Sequence, residues 1–162
     1  MLMDSGGSMD YYSNLCSMLF QAARQSNHFK ELHVYYFHNC IYSNVYTDPR
    51  MYREHAVATD WILQNFGSEY KVIFVGDALM DMYELMEKRY DYRTGEAKWS
   101  GLDQIKRFRE HYDHLIWLNP EEPPRWGGYW GESYGYIARA VDMYPLTVDG
   151  LERGMKKLLV NR

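Results

Sequence analysis

The chain has 162 residues, enough for one domain with a sizeable core, and its 46% hydrophobic and 25% charged residues are the balance of an ordinary globular protein. A net charge of −4 excludes broad nucleic-acid binding, which calls for a basic surface. No apolar run reaches membrane-span length and no signal peptide is visible; Cys16 and Cys40 lack metal-ligand spacing and read as free thiols of a reducing, cytoplasmic compartment.

In chain order, residues 1–3 read as the end of a buried strand. Three residues are short for a central strand, which implies a single domain over 1–162 that is the C-terminal part of a longer protein. Residues 9–24 read as a helix, with Tyr12, Leu15, Cys16, Leu19, Ala22 and Ala23 at helical spacing on one side. Residues 31–40 (ELHVYYFHNC) are β-branched and aromatic and read as a strand. Residues 41–48 alternate and form the next strand, through a tight turn near Asn39-Cys40. Residues 49–58 are a polar connection, and 59–67 a short helix that Gly67 terminates. Residues 70–78 (YKVIFVGDA) are the clearest central strand. Residues 79–86 are of mixed character, and 87–101 read as an exposed loop. Residues 102–112 form an amphipathic helix with Leu102, Ile105 and Phe108 inward, and 114–120 a strand stopped by Pro120. A Pro/Gly/aromatic loop, 121–136, enters a short helix near 134–141, and 143–146 form the last strand. Thr147 N-caps a final helix, 148–160, whose early Asp149 and Glu152 and late Lys156 and Lys157 suit the macrodipole.

Strands that alternate with helices imply a doubly wound, Rossmann-like α/β fold: a mostly parallel six-stranded sheet with helices on both faces. The link between the second and third strands is too short for a crossover, so the third is an antiparallel edge strand. In the order 3-2-1-4-5-6, the strands ending at Asp4 and Asp77 are neighbours at the switch point, where such folds bind ligands beyond the strands' carboxyl ends. Two carboxylates there, with Ser8 and Thr59 supplying hydroxyls, form a hard oxygen-rich cluster of the kind Mg²⁺ or Mn²⁺ takes.

Asp4-Ser5-Gly6-Gly7-Ser8-Met9 resembles the metal-ion-dependent adhesion site (MIDAS) of von Willebrand factor A (VWA) domains, Asp-x-Ser-x-Ser, with Gly6 in place of the middle Ser. That family adds a later Thr and an Asp at the end of the fourth strand, places that Thr59 and Asp77 take here. The ordered set DSGGSM, FHN, FVGDA, WLNP and YPLT is similar to the CoxE-like group of VWA proteins. The resemblance implies a metal held by Asp4, Ser8, Thr59 and Asp77, weakened by the ligand missing at Gly6. The ion would keep an open position for an Asp or Glu of a partner protein. It further implies a MoxR-type AAA+ ATPase as partner, and a role in assembly or maturation of a protein complex.

The same residues also resemble a haloacid-dehalogenase-type phosphatase, through Asp4-x-Gly6-Gly7-Ser8 and Gly76-Asp77-x-x-x-Asp81. That chemistry needs a second carboxyl two residues after the nucleophile, and Gly6 cannot move a proton. No convincing nucleophile–base pair is present, so a binding module rather than an enzyme is expected. His38 and His55 are the histidines expected nearest the site. The loops 79–101 and 119–134 both follow strands and should rim it, offering Met80, Tyr83, Trp99, Arg125, Trp126 and Trp130 to a partner. With 16 Tyr, 10 Met and 5 Trp in the chain, such a rim is well supplied. A third reading is a degenerate, metal-free scaffold that binds through these aromatics.

Overall fold

The two longest strands of the chain are apolar on both sides, and this decides the layering. The computed structural model describes residues 1–27, 29–91, 94–122 and 129–160. The strands are β1 (Leu2–Asp4), β2 (Tyr35–Phe37), β3 (Asn44–Tyr46), β4 (Ala56–Ala58), β5 (Lys71–Val75), β6 (Tyr90–Asp91), β7 (Glu96–Ala97), β8 (His114–Asn119) and β9 (Asp142–Pro145). The helices are α1 (Ser13–Gln25), α2 (Thr59–Asn65), α3 (Met82–Met86), α4 (Gly101–His111), α5 (Tyr129–Ala140) and α6 (Val148–Leu159). Seven strands form one sheet in the order β4-β3-β2-β1-β5-β8-β9, and β6 and β7 make a separate small hairpin.

Successive side chains of a strand point to opposite faces. In β5, Val72 and Phe74 join the core beneath α2, α3, α4 and α5, whereas Ile73 and Val75 join the one beneath α1 and α6. In β8, Leu115 and Trp117 divide from Ile116 and Leu118 in the same way. A strand buried on both faces has no room for alternation with polar residues, hence the continuous apolar runs VIFV and LIWL. Phe74 and Trp117 stack at 5.2 Å, with the Phe37 ring edge-on to both, so aromatic packing locks β2, β5 and β8 together under one end of β1.

The expected neighbours, the strands ending at Asp4 and Asp77, are adjacent: Leu2 pairs with Phe74 and Met3 with Val75, in parallel. The sheet differs from expectation in having a seventh strand. Residues 56–58 lie antiparallel to β3, which is itself antiparallel to β2, so the one reversed strand is internal and β4 is the edge. Ala56-Val57-Ala58 is too short and too weakly β-branched to announce itself; pairing with β3 makes it a strand. The first helix is split, with a 3-10 turn over Gly7–Tyr12 ahead of α1, and Leu15 and Ala22 are exposed while Cys16 and Leu19 are buried. Helix α2 ends on an extended Phe66 rather than on a left-handed Gly67. Helix α4 starts one residue earlier than its apolar spacing suggests, because Ser100 and Asp103 form a capping box. Helix α5 begins at Tyr129, several residues before 134. Thr147 does cap α6, accepting from the Gly150 N–H at 3.1 Å. Among the described residues, no helix is long and apolar enough to cross a membrane.

A Cβ at Gly150 would meet the Pro145 carbonyl oxygen at 2.0 Å, so Gly150 sets how closely α6 can start against β9. Gly150→Ala is expected to destabilise the fold by about 1–3 kcal/mol in urea unfolding. Gly135→Ala is the contrast: in α5 its Cβ would meet only a flexible Arg139 nitrogen at 3.6 Å, and a stabilisation of about 0.5–1 kcal/mol is expected.

Candidate metal centre

Asp4 is the last residue of β1 and is buried. Parallel pairing with β2 sets it level with Phe37, whose carbonyl takes the Ser5 N–H at 2.9 Å. At the end of β2 the chain turns sharply through His38-Asn39-Cys40, with the Cys40 N–H on the His38 carbonyl at 2.6 Å. Asn39 has a left-handed φ of 56°, which Asn tolerates better than most residues. That turn aims the Asn39 N–H at Asp4 Oδ1, 3.0 Å away, and its side-chain amide donates to Glu84 at 3.1 Å.

Beyond Ser5, the backbone reverses through Gly6 (φ 86°) and Gly7 (φ 59°), conformations glycine enters without steric penalty. The reversal delivers Ser8, whose hydroxyl donates to Asp77 Oδ2. Met9 follows as a buried plug. Asp77 itself stands just past β5 and is also buried. Between strand and carboxylate sits Gly76: a Cβ there would be 3.0 Å from the Asp4 Cβ, 3.4 Å from Asp4 Oδ2 and 3.2 Å from the Trp117 ring. A side chain at position 76 would press on Asp4 and on Trp117, so glycine suits this approach of β1 and β5.

The bend after Asp77 is held from several sides. Ala78 adopts a left-handed φ of 59°, strained for a residue with a Cβ. The Leu79 N–H donates to Asp77 Oδ1 at 3.0 Å, the Asn119 amide to the Asp77 carbonyl at 2.9 Å, and the Ser133 hydroxyl to the Ala78 carbonyl at 2.9 Å. Asn119 also takes the Glu121 N–H at 2.8 Å, and the Glu121 carboxylate accepts from the Tyr12 hydroxyl. The loops after β1, β5 and β8 are thus one connected network.

Burial pushes the Asp4 carboxyl up to about 8, and the charges of Asp77 and Glu84 push the same way; the N–H groups of Asn39 and Ser5 only partly oppose this. Two buried carboxylates side by side with a hydroxyl, all hard oxygen donors, are a poor arrangement without a cation and a good one with Mg²⁺ or Mn²⁺. Among the described residues, no three His, Cys, Asp or Glu side chains form a ligand cluster; the donors that converge here are two carboxylates and one hydroxyl. The phosphatase geometry is not supported at position 6, which has no side chain, and Asp81 is engaged as the N-cap of α3, accepting from the Tyr83 N–H at 2.6 Å.

Ser8 reaches Asp77, and Asp4 ends the strand beside β5, but Thr59 does not join them. It starts α2 behind β4, three strand spacings from β1, or about 14 Å across the sheet. Its hydroxyl donates to the Tyr42 carbonyl at 2.7 Å and its N–H to the Ser43 carbonyl at 2.9 Å, so it secures the edge hairpin. Met80 is a correction: it is 1% exposed, with its sulfur 2.9 Å from the Cys40 thiol, because the chain plunges into the core between Asp77 and α3. Tyr83 is 63% exposed and does face outward. Trp99 is half-buried, with the Arg107 guanidinium 4.4 Å over its ring. Arg125 and Trp126 lie outside the described residues, as does the side chain of Trp130. Of the two histidines singled out, His38 is at the site and His55 lies in a 3-10 turn ahead of β4. Asn39, Gly76 and Asn119 also belong to the site, and the sequence pattern does not single them out. The FHN, FVGDA and WLNP segments contain them, but only their contacts reveal the roles.

No protein-family model, curated protein or solved structure matches this chain.

A carboxyl raised from 3.8 to about 8 in the fold keeps its proton where the unfolded chain has lost it, so its contribution to stability falls as pH rises between these values. Asp4→Asn removes that burden. The variant is expected to match the metal-free parent near pH 4 and to exceed it by on the order of 2–5 kcal/mol near pH 8. Urea unfolding of both chains in EDTA across this range checks the sign.

Proposed function

We propose that this chain is a metal-dependent protein-interaction module of the VWA type. Asp4, Ser8 and Asp77 would hold Mg²⁺ or Mn²⁺. The observation that carries the reading is their convergence: two buried aspartates at the carboxyl ends of adjacent parallel strands, with the Ser8 hydroxyl already on Asp77. The strand order around them supports it, with ligand chemistry at the switch point of a sheet whose helices cover both faces. Thr59 is left out of the ligand set, since its hydroxyl serves the Tyr42 carbonyl. With few protein donors, the ion keeps positions for water and for an Asp or Glu of a partner, which would anchor an interface by a charge-assisted contact. The exposed Tyr83, on α3 just beyond the loop after Asp77, would extend that interface.

Binding rather than turnover is favoured because position 6 offers no second carboxyl to shuttle a proton. The similarity of the ordered motifs to the CoxE-like group makes a MoxR-type AAA+ ATPase the partner to try first, in the assembly or maturation of another complex. Calorimetric titration of Mg²⁺ and Mn²⁺ into the parent chain and Asp77→Ala tests the reading. Saturable binding is expected in the parent and none in the variant; a parent that takes up neither ion overturns it. Because Asp4 must shed its proton to bind, apparent affinity is expected to rise about tenfold per pH unit up to about pH 8 and then level off.

A further inference from the structure

We infer that His38 is the positioning residue of the Asp4–Ser8 loop, its imidazole holding the Ser5 carbonyl and lying against Gly7. The inference rests on reading Asp4, Ser8 and Asp77 as a cation site, and it gives that site a part drawn from a neighbouring strand.

His38 Nδ1 lies 2.9 Å from the Ser5 carbonyl oxygen and 3.9 Å from Asp4 Oδ1. A carbonyl only accepts, so Nδ1 carries the hydrogen and donates it. Ser5 is therefore gripped at both of its peptide groups by consecutive residues, its N–H by the Phe37 carbonyl and its carbonyl by His38. The ring also lies against the two glycines. A Cβ on Gly6 would be 3.5 Å from Nδ1, and one on Gly7 only 3.1 Å from Cε1. The imidazole thus crowds the space that a side chain at position 7 would enter, and lies in ordinary contact with the place of one at position 6.

This matters because Gly6 and Gly7, both at positive φ, are the most mobile kind of link between a carboxylate and a hydroxyl that must meet one ion. A ligand loop of this sort binds well only if something outside it holds its shape, as outer contacts do in other metal sites. His38 supplies that hold. Its side chain is 47% exposed, so packing of the core does not account for its placement here. A serine at position 6 would meet its penalty in the backbone, where φ 86° strains any residue with a Cβ, and its Cβ would touch the ring that already holds the loop.

The test compares the parent chain with His38→Ala, His38→Asn and Gly6→Ser, by Mn²⁺ calorimetry and by amide exchange of the metal-free chains. His38→Ala is expected to weaken Mn²⁺ binding about tenfold. It should also speed exchange of the Ser5 and Met9 amides by up to about tenfold, leaving those of β5 and β8 unchanged. The Asn amide nitrogen can occupy the place of Nδ1, so His38→Asn should restore most of both. Gly6→Ser should bind no more tightly than the parent. Parent-like binding and exchange in His38→Ala, failure of Asn to rescue, or tighter binding by Gly6→Ser each overturns the inference. A parent that takes up no Mn²⁺ overturns the cation reading instead, and the exchange comparison then decides the role of His38 by itself.

Discussion

The constraint on which the candidate site depends is the approach of β1 and β5 at Gly76, where a missing side chain lets Asp4 stand 3.0 Å from the position a Cβ would take. Everything at the carboxyl end of the sheet follows from it. The two aspartates are drawn side by side out of water, and the Asp4 carboxyl is driven up to about 8 by burial and by its neighbours' charge. Hydrophobic packing supplies the force: the Phe37, Phe74 and Trp117 rings beneath the site clamp the flanking strands, and the Trp117 indole N–H donates to the Gly76 carbonyl at 2.8 Å. A core that buries large aromatics can hold an unfavourable pair of carboxyls in place, because the packing energy is spread over the sheet while the electrostatic cost is local.

Around this pair the backbone adopts positive φ at Gly6, Gly7, Asn39 and Ala78. These residues come from three separate loops, and each turns a donor toward an aspartate or supports a turn that does. Strain at Ala78 is sustained by the Asn119 and Ser133 side chains on either side of it. The loops are also tied to each other, through Asn39 to Glu84 on α3 and through Tyr12 to Glu121 after β8. A change in the ligand loop is therefore felt on both flanking connections.

Much of this was legible in the sequence. Apolar runs that end in Asp4 and in Gly76-Asp77 mark two buried strands with carboxylates at their tips, and the alternation of elements places those tips together. The N-cap at Thr147 and the reversed third strand follow from equally local rules. What local rules could not show is partnership. Thr59 has the right residue type and the right order in the chain, but its hydroxyl is claimed by Tyr42, a contact set by the β3–β4 hairpin that hydrophobic pattern alone does not reveal. Met80 has the look of a rim residue because it follows a strand, yet the chain dives inward there and packs it against Cys40. His38 is expected near the site, but its hold on Ser5, like that of Asn39 on Asp4, comes from a three-residue turn that hydropathy does not reveal.

The seventh strand has a further consequence. Both borders of the sheet are poor templates for another chain. β4 is three residues long, and β9 at the far side carries Asp142, ion-paired with Lys157, and ends in Pro145, which has no N–H to give. Growth of the sheet by an incoming strand, whether from a peptide ligand or from a second copy in a crowded refolding mixture, is discouraged at either margin. Any recognition by this molecule would then fall to side chains and loops rather than to backbone pairing, and the same two short borders work against edge-to-edge association during folding.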